Sequence, residues 1–139
     1  MASLGSDGVY EIKIANPDGT YTFMEPKTSL WYMLYVNREP QGKKEKNLFR
    51  KRFRLSYNAY KKLLQDIRTQ EHFKRWTNTE AVGSPPVPIE LLLLGFLRYV
   101  GRGFTLDDLD ECTTIDGETH RQFILFFIRY GSTIFWEKM

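Results

Sequence analysis

The residues best suited to chemistry form a basic block in which Lys43, Lys44, Lys46, Arg50, Lys51, Arg52 and Arg54 surround Phe49 and Phe53. Cationic side chains at this density neutralise backbone phosphates and release the counterions condensed on a nucleic acid. A plainer reading is a solvated, charged linker and helix face whose aromatics pack inward. A third is a nuclear import address, which short Lys and Arg runs also supply. The charge is segregated along the chain. Residues 38–62 carry ten Lys and Arg against Glu39 and Glu45, whereas residues 105–139 carry seven acids against Arg121, Arg129 and Lys138. The net charge of +3 therefore hides a basic middle and an acidic tail.

A second constellation lies in that tail. Thr105 caps a short helix with Leu106 and Leu109 inside, Thr113 and Thr114 break it, and Asp116 caps a last helix through Phe123, Ile124, Phe127 and Ile128. This is helix-turn-helix spacing over residues 105–130. It places Gly117, Glu118, Thr119, Arg121 and Gln122 on the early part of the second helix, where base edges are read. Arg121 suits guanine and Gln122 adenine. Against base reading, Asp107, Asp108, Asp110, Glu111, Asp116 and Glu118 would repel phosphates at short range. The other reading is a trihelical core whose acidic face docks on something basic. The same acids do not read as a metal site, because four carboxylates on one short helix cannot converge on one ion, and acids in a first turn already suit the helix dipole. His72, His120 and Cys112 are isolated in sequence, so neither a zinc set nor a nucleophile-base pair is indicated, and Cys112 reads as a small buried residue. No metal, cofactor or catalytic residue is expected.

The elements that must position these groups are mostly helices. The 139 residues, 42% hydrophobic and 15% aromatic, suit one packed domain with a small N-terminal appendage. A single cysteine excludes an internal disulfide and points to a reducing compartment. Neither a signal peptide nor a membrane span is expected, since the most apolar run, Ile89 to Tyr99, contains Glu90 and Arg98. Residues 1–28 read as a hairpin, with weak alternation from Val9 to Ile14, a turn at Asn16-Pro17-Asp18-Gly19 and β-prone Tyr21-Thr22-Phe23. Thr28 or Ser29 caps a short helix whose Leu30, Trp31, Leu34 and Tyr35 make a core stripe. Arg38 to Lys46 reads as a solvated linker, the start of a basic linker spanning 38–54. Ser56 caps a helix with Tyr57, Tyr60, Leu63, Leu64 and Ile67 on one side, and Glu71 to Trp76 extends it or forms a separate turn. A loop over Asn78 to Pro88 leads into a central helix from Leu91 to Val100, which Gly101 and Gly103 stop. The last helix and tail, with Phe123, Leu125, Phe126, Phe127, Tyr130, Phe135 and Trp136, are apolar on several sides and need neighbours on more than one face. The expected fold is mainly α, with a helix-turn-helix-like C-terminal half and a small N-terminal β-hairpin.

Taken together, Leu48 to Ser56, Gly101 to Glu111 and Gly131-Ser132-Thr133 resemble the framework of Harbinger-type DNA transposases, in the same order, from about Ser29 onward. In that family this stretch precedes an RNase-H-like nuclease domain that binds two divalent metals, and a Myb-like protein often supplies sequence recognition. The resemblance implies a truncated or domesticated, transposase-like module for residues 29–139. With the chain ending at Trp136-Glu137-Lys138-Met139, the expectation is that the catalytic domain is absent and that the chain is no enzyme by itself. The expected partners are duplex DNA, bound through its phosphates and taking in terminal repeats, and a Myb-like protein or a second copy of the chain. The expected location is the nucleus. The alternative is a protein-interaction or dimerisation scaffold that docks a nuclease domain or a Myb-like partner, with the basic block acting only in import.

Overall fold

The computed structural model describes residues 2–4, 10–15, 17–24, 26–77 and 87–131, and the architecture is mostly helical. Short strands β1 (Ala2–Leu4), β2 (Tyr10–Ala15) and β3 (Tyr21–Met24) pair antiparallel in that order. The hairpin expectation also takes in Val9 and Asn16, which lie outside the described residues, as do 78–86 of the expected loop and Phe135 and Trp136.

The helical part begins at Ser29, whose hydroxyl donates to the Pro26 carbonyl at 2.6 Å while accepting from the Tyr32 amide at 3.4 Å. The turn that follows runs into a π-helical segment, Tyr32–Val36, closed by the Asn37 amide on the Tyr32 carbonyl at 2.8 Å. Only half of the expected stripe is core. Trp31 and Tyr35 are buried, but Leu30 is 57% and Leu34 39% exposed. The segment is barely two turns long, so it presents one edge to the core and leaves the neighbouring row outside.

Helix α1 (Gly42–Phe53) replaces most of the expected linker. Glu45 makes this possible. Its carboxylate accepts the Gln41 amide at 2.5 Å and the Arg38 guanidinium at 3.1 Å, so a free amide of the first turn is satisfied. Gly42, with φ of 69°, supplies the left-handed entry that other residues resist. Beyond it Lys43, Lys44 and Lys46 are good helix formers, and Phe49 and Phe53, one turn apart, anchor the helix. Leu48 stays 41% exposed. Arg54 ends α1 in the left-handed region, its amide on the Arg50 carbonyl.

Helix α2 (Tyr57–Thr69) starts where Ser56 accepts the Ala59 amide, and Tyr57, Tyr60, Leu63, Leu64 and Ile67 are all buried. Extended Gln70 separates it from a 3-10 turn, Glu71–Phe73, and from α3 (Lys74–Thr77), so this stretch is a separate turn. Helix α4 (Ile89–Arg102) follows Pro88, and positions 91–97 are all buried. Gly103, at φ of 69°, is the residue that ends it; Gly101 lies inside the helix. Helix α4 packs on α1, α5 and α6. An aromatic cluster of Trp31, Tyr35, Phe49, Phe53 and Tyr57 joins the π-helical segment to α1 and α2, with Phe49 and Phe53 4.7 Å apart. A second, of Phe73, Trp76, Phe96, Phe123 and Phe127, joins α3, α4 and α6.

Helix α5 (Leu106–Thr113) opens with a capping box. Thr105 accepts the Asp108 amide at 3.1 Å and Asp108 accepts the Thr105 amide at 3.0 Å, which holds the Asp108 carboxyl below its usual range. Leu109 is buried and Leu106 half-buried. After left-handed Thr114 the chain enters α6 (Gly117–Tyr130), with Asp116 at the N-cap position. The Asp116 carboxylate takes the Thr119 hydroxyl rather than a backbone amide. His120, Phe123, Ile124 and Phe127 are buried, but Ile128 is 53% exposed, against the expectation that it lies inside. Ile128 falls on the face that turns away from α4, a rotation set by His120.

Helices α4 and α6 are in close contact at Gly95. A methyl placed there would stand 2.7 Å from His120 Nδ1 and 2.9 Å from its Cε1. Alanine gains helix propensity over glycine by about 1 kcal/mol, but overpacking a core costs about 1–3 kcal/mol, so the clash should prevail. Gly95→Ala is expected to lower the urea unfolding midpoint; an unchanged or raised midpoint would show that the α4–α6 contact is looser than this.

Candidate nucleic-acid interface

The cations of the basic block occupy different sides of α1. With Phe49 and Phe53 facing the core, helical spacing puts Lys43, Lys46 and Arg50 along one flank, and Lys44 and Lys51 on the side opposite the core. All five are exposed. Among the described residues none of them forms an ion pair. Both rows extend over about 10 Å of helix. Arg52 falls on the other flank, where its Nη1 donates to the Tyr35 hydroxyl at 2.9 Å and helps fix the π-helical segment. Arg54 caps α1 and packs its stem on Gly101. Of the seven expected contacts, five are exposed on two sides of α1 and two are partly engaged in holding the fold.

Arg98 and Arg102, on α4, were not among the sequence candidates. Arg98 donates through Nη1 to the Arg52 carbonyl at 2.9 Å, stitching α4 to the end of α1. Burial, with Arg102 and Arg52 close by, pushes its pKa down. The signal that could have found them is the i, i+4 spacing of two arginines at the end of an otherwise apolar helix.

The second constellation is occupied internally. Arg121 donates to both oxygens of Glu118, at 2.8 and 2.6 Å, and Gln122 donates to Glu118 at 3.4 Å while accepting from Arg75 at 3.4 Å. The Arg121 guanidinium, first, and the Gln122 amide hold Glu118 down to about 2. Thr119 is half-buried and its hydroxyl is bound to Asp116. All three candidate base-reading side chains thus have partners on their own domain. The Arg121–Glu118 pair is half exposed, so water screens it and it is exchangeable.

The turn between α5 and α6 is locked by Thr113. Its hydroxyl donates to the Leu109 carbonyl at 2.7 Å, which leaves it as acceptor for His120 Nε2 at 2.8 Å. His120 therefore carries its proton on Nε2, and its bare Nδ1 faces Gly95 with no hydrogen-bond partner among the described residues. Among the described residues no group of three or more His, Cys, Asp or Glu side chains is placed to hold a metal ion. Cys112 is half-buried, and burial raises its thiol pKa. No described helix is long and apolar enough to cross a membrane.

No family model, curated protein or solved structure matches the chain.

Burial lowers the His120 pKa from 6.5 to about 3, so the imidazole is neutral in the fold. The unfolded chain takes up a proton below about 6.5 and the folded one does not, so stability present above that pH is lost as pH falls toward 3. The unfolding free energy is expected to decline between pH 6.5 and pH 4, and His120→Leu to flatten that stretch of the profile. An identical decline in the variant would place the pH sensitivity in other groups.

Proposed function

We propose that the chain is a DNA-associating module without catalytic activity of its own, which holds duplex phosphates along the exposed face of α1. The observation that carries this reading is the face itself: Lys43, Lys44, Lys46, Arg50 and Lys51 stand on a helix anchored by Phe49 and Phe53, with no described carboxylate paired to them. An exposed helix face of one sign attracts a polyanion through counterion release, independently of base sequence. The resemblance of Leu48 to Ser56 and Gly101 to Glu111 to Harbinger-type transposases supports the same reading and, with it, a nuclear location. The finer reading of α5, the turn 114–116 and α6 as a helix-turn-helix belongs to this proposal too. In it Thr119, Arg121 and Gln122 reach bases only after exchanging their bonds to Asp116, Glu118 and Arg75.

A second reading has its own support. Leu125 and Ile128 are each 53% exposed on α6, and Met33 is 49% exposed beside Leu30 and Leu34. Such surfaces suit a protein partner, a nuclease domain, a Myb-like protein or a second copy of the chain. Sedimentation of the purified chain bears directly on the last.

Fluorescence anisotropy with a mixed-sequence duplex across a salt series tests the first reading. Binding is expected to weaken steeply with salt, and a Lys43, Lys44, Lys46, Lys51→Ala variant to lose affinity and flatten the log-log slope by about 0.9 for each phosphate contact removed. These four side chains are exposed, so the unfolding midpoint should hold. A wild-type chain that fails to bind at low salt would turn the reading toward a docking scaffold.

A further inference from the structure

The lysine rows do not account for the charge at the end of α1. Arg98 crosses from α4 to the Arg52 carbonyl, and its guanidinium lies 4.3 Å from the Phe104 ring centroid and 5.7 Å from that of Phe53. Arg102, one turn further along α4, shares its face. Arg54 brings its Cγ to 3.0 Å from where a Gly101 side chain would begin, an approach open only because Gly101 has none. Three arginines from two elements therefore gather where the C-terminal ends of α1 and α4 abut.

Little neutralises them. Among the described residues no carboxylate pairs with Arg54, Arg98 or Arg102. Arg102 and Arg52 both act against the charge on Arg98. The two helix C-termini supply about half a negative charge each, which leaves roughly two positive charges uncompensated. Within this cluster Arg98 Nε is buried with no hydrogen-bond partner among the described residues. A guanidinium held beside two aromatic rings and tied to a backbone carbonyl keeps its positive charge in a fixed place, which favours an oxyanion beside it.

We propose that Arg54, Arg98 and Arg102 form an oxyanion site that takes one phosphodiester of a nucleic-acid backbone at the end of the α1 rows. Arg98 is the fixed member, and Arg54 and Arg102, both exposed, close on the phosphate from either side. The ligand's identity rests on the DNA reading above, but the site can be tested apart from it.

Two measurements on the full chain separate the possibilities. In the first, arginine side-chain nitrogen-proton spectra are followed while inorganic phosphate is added. The Arg98 Nε signal is expected to shift saturably, and Arg54→Ala with Arg102→Ala to abolish that shift in a chain whose amide spectrum is still that of the folded domain. An Arg98 signal indifferent to phosphate overturns the site. In the second, the same double variant is titrated with duplex across salt; an affinity loss of about tenfold and a slope lower by about two are expected. Unchanged affinity and slope, with the lysine variant still impaired, overturn the site and leave the α1 reading standing. Saturable phosphate binding by a chain that ignores duplex supports the site and removes the α1 reading instead.

Discussion

Helix α4 must be enclosed. Through positions 91–97 it offers apolar side chains in every direction, four consecutive leucines among them, and each is at most 5% exposed. Burying a leucine contributes about 1.5–3 kcal/mol, so a solvated side on this helix would sacrifice more than one such contribution from a stability of about 5–15 kcal/mol. Helices α1, α5 and α6 take their places as its covers. The requirement reaches the basic surface directly: α1 lays Phe49 and Phe53 inward to cover its share, and that commitment turns its lysines outward. The basic face is in this sense a by-product of how α1 closes the core.

The same enclosure fixes α6. Gly95 has no side chain to hold the His120 ring off the α4 backbone, and His120 sits against it, tied to Thr113 at the α5–α6 turn. The rotation of α6 follows, and with it the outward position of Leu125, Ile128, Arg121 and Gln122. Two surfaces of different character result: a cationic one along α1, extended by Arg54, Arg98 and Arg102, and an apolar and acidic one along α6 and α5.

Helices with strong local signals were legible in the sequence. Ser56 and the spacing from Tyr57 to Ile67 define α2, Thr105 marks α5, and the long apolar run after Pro88 defines α4. Helix α1 was not, because Pro40, Gln41, Gly42 and a crowd of charges look like a linker. What makes it helical is a pair of contacts, Arg38 and Gln41 to Glu45, together with burial of Phe49 and Phe53 in partners distant along the chain. Leu30, Leu34 and Ile128 were read as core because periodicity gives the width of an apolar stripe but not how much of it a neighbour covers. The basic block was visible as composition; its division into free rows and engaged members was not, and Arg98 and Arg102 lay hidden at the end of the most apolar helix. The internal bonds of Thr119, Arg121 and Gln122 depend on rotamers and on Arg75, forty-seven residues away from Gln122, which spacing cannot reveal.

The central proposal is that nucleic acid meets this domain through its phosphates on α1, ahead of any base contact by the first turns of α6. Backbone amide spectra of the labelled chain, titrated with a short mixed-sequence duplex, test it most directly. The account predicts that the largest shifts fall on residues 43–54 and the last turn of α4, with residues 117–122 of α6 little changed. Shifts concentrated on 117–122, with α1 silent, would contradict it.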